Sequence, residues 1–242
     1  MKGEEVERNR KLAVEFIGMF LFMFTVGMAT EKTGAGKLAP FAIGVVLMVL
    51  VYAGGHISGG HYNPAVSTAV LVRRKLTGTE WVGYVVVQLA AAALAGLAVR
   101  GVAGHEVHAT VLNTWKMLVV EFVFTFALAY IVLNVATARG TEGNSFYGIA
   151  IGGIVLVGAF SVGAISGAAF NPAIALGACI SGLLKWSNYW IYLVADLVGG
   201  IAGAAAFLLV EPGDKGAAPA AASVRCARED RENVGNICIR GR

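Results

Sequence analysis

Charge is what this chain has least of. Only 14% of its 242 residues are Asp, Glu, Lys or Arg, against about 25% in soluble domains. The charges gather in short stretches and leave long intervals nearly bare, which excludes an ordinary soluble fold. The net charge of +4 does not mark a nucleic-acid partner, because the basic residues flank apolar runs. Cysteine is also scarce. Cys179, Cys226 and Cys238 share no spacing that a metal site or a disulfide framework requires. No nucleophile–base set emerges, so an enzyme is not expected, and neither is a cofactor or a metal. The first apolar run is long enough to span a bilayer and lacks a small-residue cleavage pattern behind it, unlike a removable signal peptide.

Apolar residues fill the space. They make up 57% of the chain, and the mean hydropathy is +0.71. A membrane barrel would show short alternating strands. Here the runs are continuous and rich in Leu, Val, Ala and Gly, so the fold class is an all-α membrane protein. A span needs about 20 residues, and six fit: Leu12–Thr30, Ala39–Gly55, Trp81–Val99, Met117–Ala136, Phe146–Gly163 and Asn188–Val210. Two further apolar stretches, Pro64–Val72 and Pro172–Leu184, are too short to cross. The 32 glycines suit close helix contacts in a bilayer. Residues 1–11 read as a charged cytosolic lead-in, 12–210 as a channel domain, and 211–242 as a disordered tail.

The strongest signal is a repeat. Asn63-Pro64-Ala65 returns as Asn171-Pro172-Ala173, 108 positions on (171 − 63). The preceding runs also match, His56-Ile57-Ser58-Gly59-Gly60-His61-Tyr62 against Ala164-Ile165-Ser166-Gly167-Ala168-Ala169-Phe170. Glu15-Phe16 is answered by Glu121-Phe122, and Gln88 by Asp196. Repeat one covers 12–100 and repeat two 115–210. Three spans per repeat is an odd number, so the halves are inverted. Without the tail, eight Lys and Arg fall on the N-terminal side and five on the other. This favours both termini in the cytoplasm.

Pro suits the first position of a helix and Asn suits its cap. Each Asn-Pro-Ala therefore starts a helix, and each short helix starts near the midplane. Inverted halves bring the two N-termini together, and their partial positive charges repel cations and hydronium. The Asn63 and Asn171 amides can orient a passing water so that it relays no proton. The approach segments, with Gly59, Gly60, His61, Gly167 and Ala169, expose backbone carbonyls, which is tolerated at depth only beside a cavity or inside protein. Glu15 and Glu121 are read as buried acceptors for the backbone N–H groups of these loops. Gln88 and Asp196 are read as contacts between helices, and the protonation of Asp196 stays open. His56 and His61 shape the inner vestibule.

These features resemble the aquaporin, or major intrinsic protein, family from about Leu12 to Val210. The wording Gly60-His61-Tyr62-Asn63 reads as bacterial. The resemblance implies six spanning helices with two re-entrant half-helices, a homotetramer with one pore per subunit, lipid surroundings, and passive flow of water. For a bacterial member it implies the inner membrane. The loop after the third span is shorter than in typical glycerol facilitators. One departure matters. Relatives usually carry Arg after the second motif, and here the position is Ile174. The resemblance puts the other outer-filter positions at Ile43, Ala159 and Ala168. All four are apolar, which is similar to some tonoplast members. The implied filter is wide enough for ammonia, hydrogen peroxide, urea or glycerol. Two rivals are a secondary transporter, which needs gradient-coupled saturable flux, and a closed adhesive tetramer, which short outer loops disfavour.

Overall fold

The computed structural model describes residues 2–31, 34–103 and 113–214. Eight α-helices follow in order among the described residues: α1 Lys2–Thr30, α2 Ala39–Ser58, α3 Pro64–Val72, α4 Gly78–Ala103, α5 Thr114–Ala136, α6 Tyr147–Ser166, α7 Pro172–Ser181 and α8 Tyr189–Val210. Six are long and apolar enough to cross a membrane, with window hydropathies of 2.0 to 2.2. The helices α3 and α7 have nine and ten residues. At 1.5 Å per residue their combined length is about 28 Å, close to the ~30 Å hydrocarbon thickness.

Polarity is reversed relative to a soluble protein. Glu15, Gln88, Glu121, Asp196 and Arg73 are wholly buried, while Ile17, Phe41, Val86, Leu97 and Phe160 are exposed. Water would penalise that surface, whereas lipid does not. The buried polar groups then become the informative ones.

The topology mirrors the repeat. α1 packs on α4 and α5 on α8, while α2 meets α6 across the two halves. Each short helix leans on the opposite half, α3 against α8 and α7 against α4. Glycine makes these seams possible. A Cβ on Gly96 would sit 2.4 Å from the Gly177 carbonyl oxygen, and one on Gly200 would sit 2.6 Å from that of Ala65. Backbone cannot step aside as a flexible side chain would, so these crossings need the missing side chain.

Several boundaries differ from the sequence reading. The charged lead-in is helical from Lys2 and continuous with the first span, because its single glycine, Gly3, sits in the first turn and 4–11 hold neither glycine nor proline. The helices α2 and α6 run on to Ser58 and Ser166, which leaves approach segments of only four residues each, 59–62 and 167–170. α7 stops at Ser181, where Gly182 takes a left-handed φ of 92°. The assigned tail begins with structure: Pro212–Asp214 form a 3-10 turn. The rest of the tail, with Cys226 and Cys238, and the loop 104–112 lie outside the described residues.

That turn has a purpose in the packing. Arg73 caps α3 and is wholly buried. Its Nη2 lies 2.9 Å from Asp214 Oδ1, and its guanidinium sits 4.9 Å from the Phe207 ring centre. Asp214 also accepts from the Arg139 backbone N–H at 2.9 Å. That bond, and then the nearby Arg73 cation, hold the Asp214 carboxyl below its usual range. A depressed carboxylate stabilises the fold above its unfolded pKa, and the contribution is lost as pH falls through the lower folded value. Asp214→Asn is thus expected to lower the melting temperature in detergent near neutral pH by several degrees. The gap to the parent should narrow on acidification below about pH 4, as thermal unfolding across a pH series would record.

Candidate functional site

The centre of the molecule is built by the two Asn-Pro-Ala segments. Asn63 and Asn171 cap α3 and α7 in extended conformation, with φ of −162° and −163°. Asn63 Oδ1 accepts from the N–H of Ala65 at 2.8 Å and of Val66 at 3.4 Å. Asn171 Oδ1 accepts from Ala173 at 3.0 Å and Ile174 at 3.4 Å. Pro64 and Pro172 occupy the first helical positions, where their missing N–H costs nothing.

The amide nitrogens cross over. Asn63 Nδ2 donates to the Phe170 carbonyl and Asn171 Nδ2 to the Tyr62 carbonyl, both at 2.8 Å. The two helix tips are therefore tied together. One amide hydrogen of each Asn is spent on this tie, and an amide carries two. The sequence reading gave both amides to passing solute and did not foresee the tie.

Tyr62 and Phe170 reach that geometry at a conformational cost. Their φ values are +45° and +47°, a left-handed region that is a genuine outlier for bulky residues and costs roughly 1–2 kcal/mol each. Two buried carboxylates hold them. Glu15 accepts from Ser58 Oγ at 2.7 Å, His61 N at 2.9 Å, Tyr62 N at 2.7 Å and Gln88 Nε2 at 2.8 Å. Glu121 accepts from Ser166 Oγ at 2.5 Å, Ala169 N at 3.1 Å and Phe170 N at 2.7 Å. Tyr84 and Tyr192 donate to the Ser58 and Ser166 carbonyls that end α2 and α6. Ser58 and Ser166 stood in the matched runs without a role, and Tyr84 and Tyr192 were not singled out. Each pair is 108 positions apart, so extending the repeat register residue by residue would have found them.

Space narrows at the tie. A cavity of about 780 Å³ opens on one side, lined in part by Lys11, His56, Gly59, His61, Glu80, Tyr84 and Arg139. It shares Gly59 and His61 with a cavity of about 20 Å³ at the two Asn. That volume suits about one water. Gly60, Ala169, Phe170, Asn63 and Asn171 line one part of it, and Phe22, Leu47, Leu128, Val132, Ile151 and Val155 form an apolar wall. His61 Nδ1 lies 3.1 Å from Ser67 Oγ, and its ring meets Tyr84 edge-on. Gly59 and Gly167, with φ of +90° and +89°, end α2 and α6 and turn the chain inward. Among the described residues no group of three His, Cys, Asp or Glu is placed to hold a metal.

The four positions that the family resemblance assigns to an outer filter fall on separate elements. Ile43 lies on α2, Ala159 on α6, Ala168 in the second approach segment and Ile174 in the first turn of α7. Ala159 and Ile174 are buried, and Ile43 and Ala168 half-buried. α2 and α6 touch beside the first two, where Gly44 abuts Leu156. Neither cavity includes any of the four.

Comparison with known proteins supplies relatives. A family model described as Major intrinsic protein matches residues 2–207. Nodulin-26 of Glycine max is 41% identical over 219 residues, covering 85% of this chain and 79% of that protein. Aquaporin NIP1-4 of Oryza sativa subsp. japonica is 35% identical over 210 residues, 82% and 76% respectively. Glycerol uptake facilitator protein-like 6 of Lactiplantibacillus plantarum is 33% identical over 208 residues, 81% and 95%. The X-ray structure of the aquaglyceroporin from Plasmodium falciparum is similar in fold, with a TM-score of 0.72 at 21% identity, covering 86% of this chain and 98% of that one.

Proposed function

The chain belongs to the major intrinsic protein family, passive multi-pass membrane channels for water and small solutes. From that premise we propose a channel that rejects protons at its centre and admits small neutral solutes beyond water. The observation that carries the proposal is the reciprocal tie of Asn63 to Phe170 and Asn171 to Tyr62. It sets two helix N-termini, each with about half a positive charge, against one small cavity. The free hydrogen of each amide orients a single water there. A water accepting from both sides has its own hydrogens directed away along the file, so proton hopping is interrupted. The apolar wall opposite offers no competing partner.

The outer filter is formed, in this reading, by Ile43, Ala159, Ala168 and Ile174. None carries charge, so selection there is by size. Ammonia, hydrogen peroxide, urea or glycerol then pass alongside water. The functional unit is a homotetramer with one pore per subunit, its termini in the cytoplasm of the cell membrane.

Stopped-flow light scattering on proteoliposomes tests this, with a pH-sensitive dye inside to follow proton leak. Fast water flux, measurable solute flux and a proton leak equal to protein-free vesicles are expected. Flux that saturates and follows a proton or sodium gradient would instead mark a coupled transporter.

A further inference from the structure

The two carboxylate clusters are not equivalent. In the first half, Glu15 receives four donors, the fourth being the Gln88 amide. In the second half, Glu121 receives three, and Asp196 stands where Gln88 stands, 108 positions on (196 − 88). Asp196 is wholly buried. Its Oδ1 accepts from Thr125 Oγ1 at 3.0 Å. Its Oδ2 is buried with no hydrogen-bond partner among the described residues. Thr125 lies four residues, about one helical turn, after Glu121 on α5, so the Asp196 carboxyl that it binds is set on the same helix face as Glu121, as the Gln88 amide is set against Glu15 in the first half. The Asn171 N–H, at the cap of α7, is a nearby donor to the same carboxyl.

We infer that Asp196 holds a proton on Oδ2 and donates it to Glu121, so that an acid serves the second half as the Gln88 amide serves the first. Two ionised carboxylates in contact, away from water, repel strongly and share a proton instead. The groups facing Asp196 include no cationic side chain: Glu121 and Thr125 come from α5, the Asn171 N–H from the cap of α7, and Tyr189 and Tyr192 from α8 itself. With the proton in place, both oxygens of Asp196 are satisfied, and Glu121 gains its fourth donor. Asp196 is then a positioning residue. It steadies Glu121, Glu121 holds the Phe170 N–H, and the Phe170 carbonyl receives Asn63.

The protonation also makes the second half sensitive to base where the first is not. Removing the proton would put two negative charges behind the approach segment 167–170. The amide of Asn cannot be lost this way, so Asp196→Asn should mimic Gln88.

Infrared spectroscopy of the reconstituted protein at neutral pH tests the proton directly. A carbonyl stretch of a protonated, dry carboxylic acid is expected in the parent and absent in Asp196→Asn. Permeability gives the second readout. Asp196→Asn should keep water flux within about twofold of the parent at neutral pH and retain it under alkaline conditions where the parent declines. A parent spectrum with no such band, or one that persists in Asp196→Asn, overturns the inference. So does an identical alkaline decline in both proteins. Neither result touches the channel assignment, which rests on neutral-pH flux.

Discussion

Glu15→Ala is expected to abolish water permeability and to leave little folded protein in detergent. The carboxylate has no access to water and satisfies four donors from Ser58, His61, Tyr62 and Gln88. Alanine strands all four in a dry site. Each stranded donor costs about 1–3 kcal/mol, and two of them are backbone groups that cannot turn away. Against a typical total stability of ~5–15 kcal/mol, that loss removes much of the margin. Glu15→Gln separates charge from packing. It retains the shape but turns one acceptor into a donor facing donors, so intermediate yield and reduced flux are expected. Size-exclusion profiles and proteoliposome water flux would show the order parent, Gln, Ala. An alanine variant with parental flux would remove Glu15 from the structural account.

The second large effect is expected at Ile174. Its backbone N–H is committed to the Asn171 cap, so a replacement changes the side chain without moving the start of α7. Ile174→Arg places a long cation in the first turn of that helix. If Ile174 shapes the outer mouth as proposed, urea and glycerol flux should fall at least about tenfold relative to water, a barrier of ~1.4 kcal/mol. Water flux should change much less, and proton leak should not rise. Unchanged solute flux in a well-folded Arg variant would displace the filter from this position. Ile174→Val, which preserves apolar character, is expected to behave as the parent.

The fold was legible because its signals are long and redundant. Low charge, continuous apolar runs and a repeat of 108 residues each point to inverted helical halves. The helix starts at Pro64 and Pro172 were readable from the Asn cap and the Pro that follows it. The helix ends were not. Ser58 and Ser166 extend α2 and α6 beyond Gly55 and Gly163, because glycine inside a packed apolar helix does not stop it. The crossed amide bonds were beyond reach for another reason: they join Asn63 to a carbonyl 107 positions away, and no local pattern encodes that distance. Asp214 was hidden inside a stretch whose Ala/Pro and charge content reads as unstructured, although its partner, Arg73, is a cation with no water around it. A lone buried guanidinium needs an anion, and a sequence does not say which residue supplies it. Asp196 was visible as an acid without a cationic neighbour, while its nearness to Glu121 required coordinates.

The crossed amides also bear on how such a molecule is made. The ribosome delivers residues 1–103 well before residue 170 exists, so the Asn63 amide enters the lipid phase ahead of its only protein acceptor in that tie. Unpaired polar groups are costly in hydrocarbon, and the contorted backbone at Tyr62 gains its second restraint only when Asn171 arrives. The late half therefore locks the early one: neither crossed amide bond can form until the chain has been made as far as Asn171.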